Sequence, residues 1–291
     1  MDYSRIMISL CFLILFIACS GNNTTSDNSA GINKVEAENP LYSQFKFPYD
    51  LNSPDEKFKL PGNLIEVSGI SFYNKNRVLC IQDEKANIYV LNLPEKEIIQ
   101  KYKFGSDGDF EDIAVIGKTV YVLRSDGHIF EIKNFDNENI QVTDHFTPLS
   151  GKNNTEGLAY DKISKSLLIA CKGSPEINDK KYKGSKAVYH FYLESMKLDK
   201  QPAFLVDVKK LDSFKPSGIA VCPVTEEIYL ISGSSKDLII VDREGKLLYT
   251  HHLNPSLFRQ PEGICFSPSG DLYISNEGSG GSGNIYKFIR H

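Results

Sequence analysis

Five stretches of this chain begin in the same way: VSGISF at Val67–Phe72, FEDIAV at Phe110–Val115, TEGLAYD at Thr155–Asp161, PSGIAV at Pro216–Val221 and PEGICF at Pro261–Phe266. Such a repeat restricts architecture strongly, because each unit must bury its apolar faces against the next one. Aligned on Ser68, Glu111, Glu156, Ser217 and Glu262, the copies stand 43, 45, 61 and 45 residues apart. Each copy is followed by a second short segment (RVLCIQD, TVYVLRS, SLLIACK, EIYLISG, DLYISNE) and a third (NIYVLNL, HIFEIKN, AVYHFYL, DLIIVDR, NIYKFIR). The first four copies add a fourth segment (EIIQKYKF, IQVTDHF, PAFLVDV, KLLYTHHL). These segments are rich in β-branched and aromatic residues and are separated by turn-forming stretches such as SPSGD and REGK. No window carries a helical apolar period.

Four-stranded units of roughly 45 residues in tandem form the blades of a β-propeller. The expected fold is therefore all-β: a five-bladed β-propeller of four-stranded antiparallel blades. The interval of 61 residues leaves six blades as the alternative. However, GSPEINDKKYKGS, Gly173–Ser185, reads as a long charged loop and accounts for most of the surplus. The fifth copy ends at His291 after its third strand, so a strand from the N-terminal side must complete it. YSQFKFPYDL, Tyr42–Leu51, alternates as a strand should and is the expected closing element, which would remove an exposed edge.

The N-terminal 18 residues read as a targeting segment. Arg5 precedes an apolar run, Ile6–Ala18, that is short for a membrane span. The run ends in LFIAC, which resembles the lipobox of bacterial lipoproteins and makes Cys19 the lipidated first residue of the mature chain. A plain secretory signal and an uncleaved anchor are the alternatives, and all three export the protein to the cell envelope. Residues 19–40 are polar, rich in Asn, Ser and Thr, and read as a flexible tether. The propeller domain then occupies residues 41–291. The net charge of −4 gives no basic face for nucleic acid. Cys80, Cys171, Cys222 and Cys265 each fall in a strand of a different repeat, or at its end, and read as buried free thiols rather than a disulfide framework.

In a propeller the first strand of each blade lines the central channel, and its start lies beside the end of the second strand. One rim therefore gathers Ser68, Glu111, Glu156, Ser217 and Glu262, with Asp83, Arg124, Lys172, Asn276 and Glu277 beside them. Converging carboxylates repel, and their pKa values rise unless something compensates. A hard cation such as calcium is one compensation, since it takes six to eight oxygen ligands. Pairing with Arg124 and Lys172 is the other. SNEGSGG, Ser275–Gly281, is either an adaptable binding loop or a connecting turn.

FEDIAV, TEGLAYD, QPEGICFSPSGDLYISNEG and QDEKANIYVLNL together resemble the SdiA-regulated domain family, bacterial exported proteins distantly related to NHL repeats. The likeness runs over roughly Leu60–Tyr286. It implies a five-bladed propeller with a calcium site, and it places the family's glutamates on Glu111, Glu156 and Glu262 and its Asp-Glu pair on Asp83 and Glu84. The metal set expected here is Glu111, Glu156, Glu262, Asp83, Asn276 and Glu277. One reading of the function is a lipid-anchored binding or scaffold module with a protein or small-molecule ligand at its rim. A second is a calcium-dependent hydrolase of lactones or phosphoesters, with Asp83 as base. A third is sensing or carrying a small ligand in the channel.

Overall fold

The computed structural model describes residues 45–136, 139–177 and 182–291. Cys19, the targeting segment 1–18 and the tether 19–40 lie outside the described residues. Twenty strands form five four-stranded antiparallel sheets. Blade 1 holds β2 (Val67–Asn74), β3 (Arg77–Gln82), β4 (Asn87–Asn92) and β5 (Glu97–Lys103). Blade 2 holds β6 (Phe110–Ile116), β7 (Thr119–Arg124), β8 (Ile129–Lys133) and β9 (Gln141–His145). Blade 3 holds β10 (Thr155–Asp161), β11 (Ser166–Cys171), β12 (Ser185–Tyr192) and β13 (Lys197–Asp207). Blade 4 holds β14 (Gly218–Val221), β15 (Ile228–Ser232), β16 (Asp237–Val241) and β17 (Leu247–His252). Blade 5 holds β18 (Pro261–Phe266), β19 (Leu272–Asn276) and β20 (Asn284–Phe288), completed on its outer edge by β1 (Glu56–Lys59).

The inner strands touch in cyclic order, β2 to β6, β10, β14, β18 and back to β2, so the ring closes with five blades. Among the described residues the long spacing between the third and fourth repeats holds no extra sheet. It is taken up by the connection 172–184 and by the long hairpin of β12 and β13. The closing strand is not the one expected. β1 pairs antiparallel with β20, Glu56 opposite Lys287 and Lys59 opposite Asn284. Residues 45–51 pack across the blade 4–blade 5 seam instead. Phe47 stacks on Tyr249 with ring centroids 4.7 Å apart, and Tyr49 and Leu51 are buried with Tyr229 and Phe288. This segment alternates because one face meets an aromatic surface, a pattern that strand pairing also produces.

The apolar clusters lie between neighbouring blades, which is where flat two-sided sheets must bury their faces. Cys80, Cys171, Cys222 and Cys265 are free and buried in these layers. The glycine of the repeated motif serves close packing at the axis. A Cβ on Gly69 would sit 2.6 Å from the Cα of Asp112 in the next inner strand. In blade 2 that slot holds Asp112 itself, 1 % exposed. Its carboxyl accepts hydrogen bonds from Ile113 N (2.8 Å) and Leu158 N (2.7 Å), tying blade 2 to blade 3. Among the described residues no helix is long and apolar enough to cross a membrane.

Candidate functional site

The repeated acidic or seryl position sits on a break in the sheet ladder. Register shifts fall between Val67 and Gly69, Phe110 and Asp112, Thr155 and Gly157, and Pro261 and Ile264. Ser68, Glu111, Glu156 and Glu262 are therefore bulge residues, lifted out of the ladder, and a bulge re-aims the side chain it carries. The two serines of the repeat instead stitch inner strands together. Ser68 Oγ donates to Phe110 O (2.8 Å), and Ser217 Oγ to Pro261 O (2.8 Å). They belong to the wall of the channel mouth rather than to a ligand ring.

The three glutamates come together around one ammonium. Lys172, at the end of β11, donates from Nζ to Glu156 Oε2 at 2.6 Å, and Asn154 Nδ2 donates to Glu156 Oε1 at 2.7 Å. Glu156 is 5 % exposed. Burial raises its pKa above the usual glutamate range even with those two donors. Burial works against the Lys172 cation, but Glu156, Glu262 and Glu111 together hold its pKa above the ordinary lysine value. The Lys172 side chain is more open to solvent than that of Glu156, so the ammonium gains more from the pair. Glu111 is pushed up to about 9, first by burial and then by Glu156 and Asp109. Glu262 is pushed up to about 8 by burial and Glu156, opposed by Lys172 and a bond from Gln260.

Arg124 takes no part in this pairing. Its guanidinium is held by Asp126, at 3.0 Å from Nε and 2.8 Å from Nη2, and also meets His128 Nδ1. Asp83 and Glu277 stand together at the same mouth, towards blades 1 and 5. Burial and then Glu66 raise Asp83, while burial and then Asp83 raise Glu277. Among the described residues Asp83 Oδ1 is buried without a hydrogen-bond partner. Asn276 is not brought to Glu111, Glu156 and Glu262. Its side chain bonds Asn284 and lines a neighbouring cavity with Ser256, Arg259, Glu277 and Tyr286.

Sequence reasoning missed four members of the mouth: Glu66, Asp109, Asn154 and Gln260. Each lies two residues before the aligned bulge position, where the loop enters the inner strand. A polar residue at that offset in every repeat was the available signal.

With the blade order and this mouth established, the comparisons with known proteins become informative. The family profile SdiA-regulated matches residues 53–280, most of the folded part. The chain belongs to the SdiA-regulated family. No curated protein matches it. Among solved structures, it is similar to a glutaminyl cyclase from Myxococcus xanthus, 14 % identical, covering 81 % of this chain and 95 % of that one, with a TM-score of 0.57. It is also similar to an aldose sugar dehydrogenase from Streptomyces coelicolor solved in its PQQ-bound form, 12 % identical over 82 % and 98 % of the two chains, TM-score 0.52. At such identities the likeness shows the propeller fold alone.

The resemblance to the SdiA-regulated family implied calcium, and the donor set can be tested on the residues present. Once ionised, three glutamates around one ammonium leave two negative charges, the complement of one divalent cation. Among the described residues Glu111 and Glu262 have no cation of their own in hydrogen-bond contact, and an orphan Asp83 oxygen stands at the same mouth. Hard carboxylate oxygens suit calcium. Among the described residues no group of three or more His, Cys, Asp and Glu is placed to hold a metal ion. The donor chemistry suits the ion, while the side chains as they stand are closed on Lys172.

Proposed function

We propose that this protein is a binding module of the bacterial cell envelope, anchored by a lipid on Cys19, whose channel mouth takes one calcium ion. One observation carries the reading: three inner-strand glutamates on bulges converge on a single lysine. Glu111, Glu156 and Glu262 would hold the ion, with Asp83 and Glu277 as the next carboxylates. When bound, the ion supplies the positive charge that the mouth lacks and ties blades 2, 3 and 5 together. The rigid ring then presents its rim loops to a protein or small-molecule ligand.

The test uses the full-length protein in detergent. Metal content is measured, and thermal melts are compared with calcium and with chelator. The expected result is one calcium per chain and a stabilisation of about 2.7 kcal/mol at 100-fold excess over the dissociation constant. Glu156→Gln and Glu262→Gln should each abolish the shift. No metal and no shift would mean that Lys172 completes the ring and that the rim loops alone bind. Turnover of a lactone or phosphoester, lost in Asp83→Asn, would replace binding by hydrolysis as the function. Cys19→Ser should release the protein from the membrane, and retention would refute the anchor.

A further inference from the structure

Blade 5 carries a second cavity beside the carboxylate mouth, with Glu277 on its lining. Its volume is about 230 Å³, and it lies between β1, β19 and β20 and the connection that enters from blade 4. Its deep wall is Asn276, 1 % exposed, with Asn284 and Tyr286. Asn276 Nδ2 donates to Asn284 Oδ1 at 3.2 Å, while Asn276 Oδ1 is buried without a partner among the described residues. Turning the carboxamide over would only leave its NH2 unmatched instead. Two cations and the Glu277 carboxylate, whose Oε2 accepts a hydrogen bond from Gln260 Nε2, line the same cavity. Arg259 makes no side-chain hydrogen bond or ion pair among the described residues, and Lys57 rests over the Tyr286 ring, 5.3 Å from its centre, without an acidic partner.

We infer that this cavity binds a small hydroxylated organic acid of the sugar-acid class, with its carboxylate on Arg259 and Lys57, a hydroxyl on Asn276 and its carbon skeleton against Tyr286. The two halves of the ligand follow from the two kinds of unmatched group. A simple anion offers acceptors only and leaves Asn276 Oδ1 without a donor. With Glu277 on the wall the lining keeps one net positive charge, and a neutral sugar satisfies the carboxamide but leaves that charge unmatched. A hydroxyl both donates and accepts, so it suits Asn276 in either orientation. The inference goes beyond the calcium reading and does not depend on it, because Asn276, Arg259 and Lys57 lie outside the cluster of Glu111, Glu156 and Glu262 around Lys172.

The test titrates galacturonate into the full-length protein in detergent with excess chelator, followed by ligand-observed NMR, with galactose and acetate as controls. Galacturonate should bind at least about tenfold more tightly than either control, and Arg259→Ala and Asn276→Ala should each weaken it by about tenfold or more. Arg259 is exposed, so its variant does not threaten the fold, and a melt checks the Asn276 variant. Absence of galacturonate binding up to about 10 mM, a millimolar limit corresponding to only a few kcal/mol, would overturn the inference. So would acetate binding equally well, or Arg259→Ala binding as tightly as the parent.

Discussion

Strand β10 carries a buried carboxylate at each end, and the two behave oppositely. Glu156, at the channel mouth, is raised above the usual range. Asp161, at the far end and 0 % exposed, is lowered even though burial alone would raise it. The difference lies in the donors. Arg243 from blade 4 forks onto both oxygens of Asp161, with Nη1 to Oδ1 at 3.0 Å, while the Ser164 hydroxyl and the Ile163 and Ser164 amides complete the shell. Glu156 has one lysine and one carboxamide, and it shares that lysine's field with Glu111 and Glu262. Burial therefore does not make a carboxylate functional. A fully satisfied one fastens two blades together, whereas an under-supplied cluster is ready to accept a ligand.

The sharpest way to break this comparison is to strip the satisfied end. Arg243→Ala leaves Asp161 buried and unpaired, and urea unfolding should show a loss of about 3–5 kcal/mol at pH 7. The lowered pKa of Asp161 adds a sign. Its contribution is present above the ordinary aspartate value, 3.8, and is lost as pH falls through the lowered one, so the wild type should lose this contribution in acid. Lys172→Met strips the under-supplied end. It should cost about 1.5–3 kcal/mol at pH 7, the range for a hydrogen bond to a charged group. The loss should shrink below the ordinary glutamate value, 4.5, where Glu156, raised above it, is already protonated.

The smallest effect sharpens the contrast most. Glu111 and Glu262 have folded pKa values of about 9 and about 8, above the ordinary 4.5, so the folded state holds protons that the unfolded chain releases. Their contribution is full below about 4.5 and is lost as pH rises through 8 to 9. In chelator, stability should therefore fall between pH 5 and 9. Glu111→Gln should flatten that slope and raise stability at pH 8, where the folded state must hold a proton that the unfolded chain releases. A thermal melt series across pH checks both.

Much of the fold was legible because a propeller writes its blade count into the chain. Five in-register starts, each with its trailing strands, admit few other closed arrangements. The closing strand was less legible, since an alternating segment fits either a sheet edge or an aromatic seam, and Glu56–Lys59 is only four residues long. At the site, the convergence of Glu111, Glu156 and Glu262 followed from register. The bulges did not, so Ser68 and Ser217 were grouped with residues whose side chains go elsewhere. Arg124 was misplaced although Asp126, two residues on, is a local partner that the sequence displays. Asn276 was misplaced because strand alternation turns it off the axis, towards Asn284.

The central claim is that the channel mouth is one divalent cation short and keeps its carboxyls protonated until the ion arrives. Calcium titration calorimetry at pH 7, in two buffers of different ionisation enthalpy, tests it directly. Binding should release protons, up to about two per calcium, as Glu111 and Glu262 ionise around the metal. Binding with no proton release, or no binding at all, would contradict it.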